Sequence, residues 1–323
     1  MAVFLLILVP SSNKAQVTSI DVVEITQRID PTDISFKMVL VPEGSFFMGV
    51  EAKGSGQEHD NGPKHKVFVD SLWVGKYEVT WEMFELFLSE NKVLFRDVSE
   101  EKLIILDAIT RPSRPFDDPS LGMGKEGYPV VNVSPHAALV FCKWLSSVTG
   151  KFYRLPTEAE WEYFCKSPNN EHEDFFKGIS ADIGDYAWSY ENSDNQYAKV
   201  GQKLPNGFGL FDVLGNVAEW TLDQYDKDFY KKEQGTVANN PWNVPTKIHP
   251  RVFRGGSWED DAKDLSSTKR GKSGSYLQKN DPQIPKSYWW YTDSPFIGFR
   301  IVSPVNQPTK EEREKFWKIA LDK

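Results

Sequence analysis

Apolar and polar residues alternate along two stretches in the first quarter of the chain. The stretch 38–49 predicts a strand, a turn at Pro42-Glu43-Gly44 and a second short strand. The stretch 66–79 has apolar residues at alternate positions, which is typical of strands with one buried face. Both stretches therefore predict short strands joined by turns.

Helix boundaries are visible at four further places. Residues 80–88 and 134–150 each begin with a hydroxyl residue suited to capping exposed amides, and the second stretch ends at a glycine. Thr157-Glu158-Ala159-Glu160 is a capping box, in which the first and last residues can satisfy each other's exposed amides. A charged segment at 309–321 predicts a terminal helix that is docked loosely or extends away from the domain.

The composition of the 323 residues favours a loop-rich fold. Gly, Pro and aromatic residues are plentiful, with 11 Trp, which predicts aromatic anchors connected by many turns. The chain is long enough to bury a core without disulfide bonds. Its net charge of -8 argues against nucleic acid as a ligand, because phosphates are bound by basic surfaces.

An unbroken apolar run extends from Ala2 to Val9 and is followed by Pro10. A helix needs about 20 apolar residues to cross a bilayer, so we do not expect an integral membrane protein. The run fits the core of a secretory signal peptide over residues 1–16, cleaved near Ala15, although no positive residues precede it. A buried first strand is the alternative. We therefore expect a periplasmic or secreted protein.

Four motifs occur in order along the chain. They are VPEGSFFMG at 41–49, YRLPTEAEWEY at 153–163, PNGFGLFDVLGNVAEW at 205–220, and RGGSW at 254–258, closed by GFR at 298–300. With these motifs the chain resembles the formylglycine-generating enzyme, or sulfatase-modifying factor, family, and looks like a bacterial member of it. The resemblance implies an α+β fold, a loop-rich variant of the C-type lectin fold with little regular secondary structure.

The resemblance also implies a domain organisation. Residues 37–304 correspond to the sulfatase-modifying-factor-like domain, with an insertion at 96–128. A lead-in segment at 17–36 precedes the domain, and a helical tail at 305–323 follows it.

Two arginines in the last motifs are expected to be buried. A buried charge needs a partner, so we expect Arg254 and Arg300 to pair with carboxylates such as Glu158 or Glu219.

A calcium site follows from the resemblance. In relatives the segment 212–219 wraps a calcium ion, and the corresponding ligands here are Asp212, the carbonyls of Gly215 and Val217, and Glu219. Calcium prefers such oxygen ligands, and we expect a structural role for the ion. The alternative is that Asn216 and Glu219 hold the turn by hydrogen bonds alone.

The catalytic cysteines of the family are missing. Enzymes of the family bind copper with two thiols, and the corresponding positions fall at about Asp260 and Leu265. Neither side chain supplies the thiolate that monovalent copper selects, so copper and catalytic residues are not expected. The chain has two cysteines, Cys142 and Cys165, whose bonding partners in the enzymes are absent. We expect buried thiols, with one bond in an oxidising compartment as the alternative.

A recognition groove could replace the missing chemistry. Acidic, basic and aromatic side chains cluster in sequence around the former thiol positions, and aromatic residues are favoured contact anchors. A solvated, self-paired loop is the alternative, and core packing could claim some of the rings. The candidate groove residues are Trp258, Asp260, Asp261, Asp264, Arg270, Trp289 and Trp290.

These observations lead to two main hypotheses. The first is an extracytoplasmic binding or assembly protein without formylglycine chemistry, whose partner is a protein of the cell envelope. Cysteine-free relatives in gliding and secretion machineries suggest that partner class. The second is an enzyme, either a divergent oxidoreductase of the formylglycine-generating type or another metal-dependent enzyme. Calcium alone would favour the first, and stoichiometric copper or iron the second. A third hypothesis, carbohydrate binding, rests only on the analogy with the C-type lectin fold.

Overall fold

The structure is a computed structural model that describes residues 22–51, 60–90, 115, 117–166 and 183–321. The signal peptide predicted at residues 1–16 lies outside the described residues, as does most of the predicted insertion, from 96 to 114. None of the helices in the described ranges is both long and apolar enough to cross a membrane.

Short strands form three small sheets. The first is antiparallel and brings together strands from both ends of the domain, in the order β1, β2, β5, β11. Part of the predicted lead-in segment forms β1, its edge strand. The strands are β1 (Glu24–Arg28), β2 (Ser35–Val41), β5 (Leu72–Gly75) and β11 (Val302–Pro304).

The second sheet carries the residues of the last two motifs. Its order is β10, β6, β8, β9, and Glu219 of β6 lies opposite Arg254 of β8. The third sheet has the order β3, β4, β7. Their strands are β3 (Gly44–Met48), β4 (His65–Val69), β6 (Ala218–Gln224), β7 (Ala238–Asn239), β8 (Arg251–Arg254), β9 (Arg270–Lys272) and β10 (Ile297–Gly298).

The four predicted helices begin and end close to their expected boundaries. Ser134 Oγ accepts the amide of Ala137 at 3.0 Å, and Gly150 ends that helix in the left-handed region. The capping box is formed, since Thr157 and Glu160 each bind the other's amide, at 3.2 and 2.8 Å. The helices are α1 (Trp81–Glu90), α2 (Pro135–Thr149), α3 (Glu158–Lys166), α4 (Phe229–Lys232) and α5 (Lys310–Leu321).

Aromatic rings fill the space between the helices and the sheets. Phe84 of α1 packs against Phe141 of α2 with ring centroids 5.7 Å apart, and Trp144 extends the same cluster. Trp317 of the terminal helix lies 5.5 Å from Phe152, so α5 is anchored to the domain by aromatic contacts. Mixed helices and sheets with many connecting loops confirm the predicted α+β class.

Candidate functional site

A tight glycine turn follows β8, just before Asp260 and Leu265, the two residues at which the resemblance implies thiols in the enzymes. Gly256 has φ of 69°, and a Cβ added there would lie 2.5 Å from Leu265 Cδ2 and 3.4 Å from Asp260 Oδ2. Only glycine fits this backbone and this space. The side chains of Asp260 and Leu265 therefore both lie close to Gly256.

Both residues have structural contacts in this turn. Asp260 Oδ2 accepts the amide of Ser257 at 2.9 Å, and Oδ1 pairs with Lys269 Nζ at 2.6 Å. Leu265 is buried in the core cluster around α3. At the two positions predicted from the resemblance, the carboxylate of Asp260 thus holds the loop closed, and the apolar side chain of Leu265 packs into the core.

An open groove of about 450 Å³ lies beside this turn. Tyr276 is exposed at the groove, and its hydroxyl donates to the carbonyl of Lys272 at 2.8 Å. The groove is lined by apolar, aromatic and charged residues, namely Phe253, Arg254, Gly256, Ser257, Glu259, Asp260, Lys269, Gly271, Lys272, Tyr276 and Phe296. We call this the Asp260 groove.

The structure brings only part of the predicted groove set to this place. Trp258, Trp289 and Trp290 are buried in the core, and Trp290 stacks on a tryptophan of α1. Arg270 is also buried. Of the predicted side chains, Asp260 alone is among those that line the Asp260 groove.

The other two acidic residues of the predicted groove lie on the neighbouring loop. Asp261 pairs with Lys263 at 2.8 Å, and Asp264 is exposed in a short 3-10 turn. For these two residues the structure agrees with the alternative interpretation of a solvated loop, in which Asp261 pairs with a lysine of the same loop.

Phe253, Tyr276 and Phe296 were missed by the sequence analysis. A weak signal existed, because Phe253 lies just before the RGGSW motif and Phe296 just before GFR. Tyr276 has no comparable motif beside it.

A buried ionic network supports the floor of the Asp260 groove. Arg254 pairs with Glu158 at 3.0 Å and with Glu162 at 2.5 Å, which confirms the predicted partner. Arg270 binds the same Glu158 through Nε at 2.6 Å and Nη2 at 2.9 Å, and Lys166 pairs with Glu162. Burial acts to raise the pKa of Glu162, but Lys166 and Arg254 together lower it.

A second buried network surrounds Arg300. Its Nε donates to both oxygens of Glu219 at 2.7 Å, as predicted, and Trp161 Nε1 donates to the same carboxylate at 2.8 Å. Two further carboxylates, Glu78 and Asp212, are buried close enough to interact with Arg300. Burial raises the pKa of Glu78 well above its usual value and that of Asp212 to about 6.

These two carboxylates each keep one unsatisfied oxygen. Asp212 Oδ2 accepts the amide of Gly201 at 2.6 Å, but neither Asp212 Oδ1 nor Glu78 Oε2 has a hydrogen-bond partner among the described residues. Glu78 was missed by the sequence analysis because nothing in its neighbourhood distinguishes it from a surface glutamate.

The predicted calcium segment is an ordered loop. Asn216 holds it from inside: its Nδ2 donates to Glu78 Oε1 at 3.0 Å and its Oδ1 accepts the amide of Ala198 at 2.9 Å. Gly215 has φ of 76°, and Val217 leads into β6. The described residues contain no group of three or more His, Cys, Asp or Glu side chains placed to hold a metal ion. Two of the four predicted calcium ligands are main-chain carbonyls, which are not counted in a group of side chains.

Both cysteines are buried inside helices. Cys142 lies in α2 and Cys165 in α3, and they are not joined by a disulfide. Burial raises the pKa of the Cys142 thiol far above its usual range, which keeps it protonated. This matches the expectation of buried thiols.

Comparison with known proteins agrees with the motifs. The sulfatase-modifying factor enzyme 1-like domain matches residues 30–303. The chain is 30% identical over 260 residues to the formylglycine-generating enzyme of Mus musculus, covering 69% of this chain and 66% of that protein, just under two thirds. It is 28% identical over 322 residues to the inactive C-alpha-formylglycine-generating enzyme 2 of Bos taurus, covering 85% and 90%.

A solved structure supports the fold. The Treponema denticola variable protein 1 superposes with a TM-score of 0.61 at 23% identity, over 87% of this chain and 99% of that one. The likeness agrees with the predicted α+β variant of the C-type lectin fold. The chain therefore belongs to the sulfatase-modifying factor family, whose domain occupies most of its length.

Proposed function

We propose that this protein is a non-catalytic member of the family that binds a protein partner of the cell envelope at the Asp260 groove. The observation that carries the proposal is that no cysteine follows Cys165 in the sequence, so that Asp260 and Leu265 stand at about the positions where the resemblance implies a thiol pair. Both side chains approach Gly256, and neither provides the sulfur that monovalent copper selects.

The remaining cysteines do not compensate for this loss. Cys142 and Cys165 are buried in helices, and neither lines the Asp260 groove. Copper is therefore not expected. The bovine relative whose name describes it as inactive supports the proposal, since it shows that the family includes members without the activity.

The Asp260 groove has the character of a protein-contact surface. It combines aromatic side chains with charges of both signs, including the exposed Glu259 and Lys272. Aromatic residues contribute much of the binding energy at such surfaces, and charges around them set orientation. The apolar run at Ala2–Val9 supports a location outside the cytoplasm.

The first test is a conversion assay. We expect no formylglycine when the full chain is incubated with a sulfatase-type cysteine peptide, copper and oxygen, measured by mass spectrometry beside an active family enzyme. Conversion by this protein would overturn the proposal. The double variant Asp260→Cys with Leu265→Cys is the matched control, and we expect it to gain Cu(I) binding that the natural chain lacks.

A second arm tests the partner. A photoreactive residue in place of Tyr276, which is 51% exposed at the Asp260 groove, should crosslink one envelope protein from a membrane extract. The same residue in place of Val237, 43% exposed and outside the groove, is the control. Equal crosslinking from both positions would show that the Asp260 groove is not the binding surface.

We further propose that calcium binds at the segment 212–219 in a structural role. Asp212 Oδ1 supports the proposal, because a buried carboxylate oxygen that accepts no hydrogen bond is stabilised by a bound cation. The carboxylates of Glu78, Asp212 and Glu219 also outnumber the two cations that interact with Asp212, Arg300 and Lys203. Asp212 and the carbonyls of Gly215 and Val217 would hold the ion, with Glu219 sharing its carboxylate with Arg300.

Metal removal provides the test of this proposal. We expect EGTA to lower the midpoint of thermal unfolding of the natural chain, because an ion that binds only the folded state stabilises it. Asp212→Ala should remove that difference, while elemental analysis should find about one calcium per chain in the untreated protein. No response to EGTA, with no calcium bound, would leave hydrogen bonding by Asn216 as the sole function of the loop.

A further inference from the structure

A second cavity lies at the N-terminus of α2, and none of its lining residues is shared with the Asp260 groove. Its volume is about 310 Å³, which is within the range of small-ligand sites. It reaches solvent past the exposed Ile248 and Tyr288. About half of its lining is apolar or aromatic.

The polar side chains of this cavity are cationic or neutral. His136, His249, Arg251 and Lys286 all line it, and none of the described residues that line it is Asp or Glu. A cavity lined by basic but not acidic side chains is unexpected in a chain with a net charge of -8. Burial lowers the pKa of His136 to about 4 and also lowers that of His249, so both imidazoles favour the neutral form, and the cationic side chains of the cavity are Arg251 and Lys286.

Arg251 is the unusual residue of the cavity. It is 5% exposed, and its Nε has no hydrogen-bond partner in the described part of the chain. Its Nη2 donates to the carbonyl of Leu222 at 3.0 Å. A buried arginine normally pairs with a carboxylate, as Arg254 and Arg300 do, and no ion pair of Arg251 occurs within the described residues.

The nearby carboxylate of Asp223 does not form the missing ion pair with Arg251. Its Oδ2 accepts the amide of Glu158 at 2.7 Å, and its Oδ1 accepts the amide of Asn243 at 2.9 Å. Asp223 therefore interacts with Arg251 electrostatically, without a hydrogen bond to it. The guanidinium retains the capacity to bind an external oxyanion.

We propose that this cavity binds a carboxylate carried on an apolar or aromatic body. The carboxylate lies against Arg251, near the N-terminus of α2, whose dipole favours negative charge. The body packs against Tyr288 and Tyr291, whose rings border the cavity. A free organic acid and the C-terminus of a peptide share this chemistry. The proposal is independent of the function proposed for the Asp260 groove.

The test compares an acid with its neutral amide. We expect 3-phenylpropionate, measured by calorimetric titration of the full chain, to bind, and 3-phenylpropanamide to bind at least about tenfold more weakly. Arg251→Met should weaken binding of the acid roughly tenfold to hundredfold, the usual value of hydrogen bonds to a charged group. Equal binding of acid and amide, or equal binding by the variant, would overturn the proposal.

Two further arms identify the source of the carboxylate and the class of anion. A short apolar peptide with a free C-terminus, compared with its C-terminal amide, distinguishes a chain terminus from a free acid, and Arg251-dependent binding of either supports the proposal. Tighter Arg251-dependent binding of inorganic phosphate than of either carboxylate would overturn the carboxylate assignment.

A second variant, at an exposed residue of the cavity, tests the proposal without the risk that loss of a buried side chain unfolds the protein. Tyr288→Ala alters a side chain that is 44% exposed, so the fold should be retained. We expect it to weaken binding of 3-phenylpropionate and to leave the weaker binding of acetate unchanged. Unchanged binding of both acids would contradict the placement of the aromatic body.

Discussion

Replacement of Arg300 by methionine should destabilise the protein by about 3–5 kcal/mol, measured as the free energy of unfolding in urea. Arg300 is fully buried, and Glu219, Glu78 and Asp212 are buried around it. Without the guanidinium, three buried carboxylates lose the cation that they share, while Lys203 still interacts electrostatically with Asp212. The carbonyls of Gly75 and Phe211 also lose their donors.

A double variant separates the charge from the packing. Arg300→Met with Glu219→Met replaces the pair by apolar side chains, and such replacements of buried pairs are often tolerated. We therefore expect the double variant to be more stable than Arg300→Met alone. Equal or lower stability would show that the shape of the arginine matters more than its charge.

Glu158→Gln should have the second largest effect, again about 3–5 kcal/mol in the free energy of unfolding. Glu158 binds both Arg254 and Arg270, and both guanidinium groups are buried. The amide removes the negative charge and turns an N–H₂ group toward one of them. Among the described residues, Glu162 would then remain as the only carboxylate bound to Arg254, while it is also bound to Lys166.

The control for Glu158 is an exposed ion pair. Asp261→Asn removes the partner of Lys263, whose side chain is 77% exposed, and should change the free energy of unfolding by less than about 1 kcal/mol. Similar losses for the buried and the exposed pair would show that burial does not determine how much these ion pairs contribute to stability.

Much of the fold was predictable because its signals are local. The capping box at Thr157 and Glu160 and the cap at Ser134 depend on residues three positions apart, and both are formed. The pairing of Arg254 and Arg300 was also predictable, because burial leaves an arginine few alternatives to a carboxylate. The choice between Glu158 and Glu219 depends on how α3 packs on the sheet, because Glu219 lies opposite Arg254 on the neighbouring strand and yet binds Arg300.

The residues of the site were less predictable, because side chains that are close in sequence lie in different parts of the fold. Trp289 and Trp290 follow each other and were assigned to the surface of a groove, but Trp290 is buried against α1 and Trp289 against α1 and α2. Arg251 and Arg254 are three residues apart on β8, so they point to opposite faces of the strand and line different cavities once that strand is known. A one-dimensional pattern gives no direction for side chains outside regular strands and helices.

The first sheet has a consequence for the order in which the protein can fold. Strand β5 ends at Gly75, but its neighbour β11 begins only at Val302. Pairing across so large a separation is slow, because a long loop must close before the contact forms. While the chain is being synthesised, β5 therefore has an open edge until nearly the whole domain has been made. An unfinished chain is exposed to pairing with other strands through that edge.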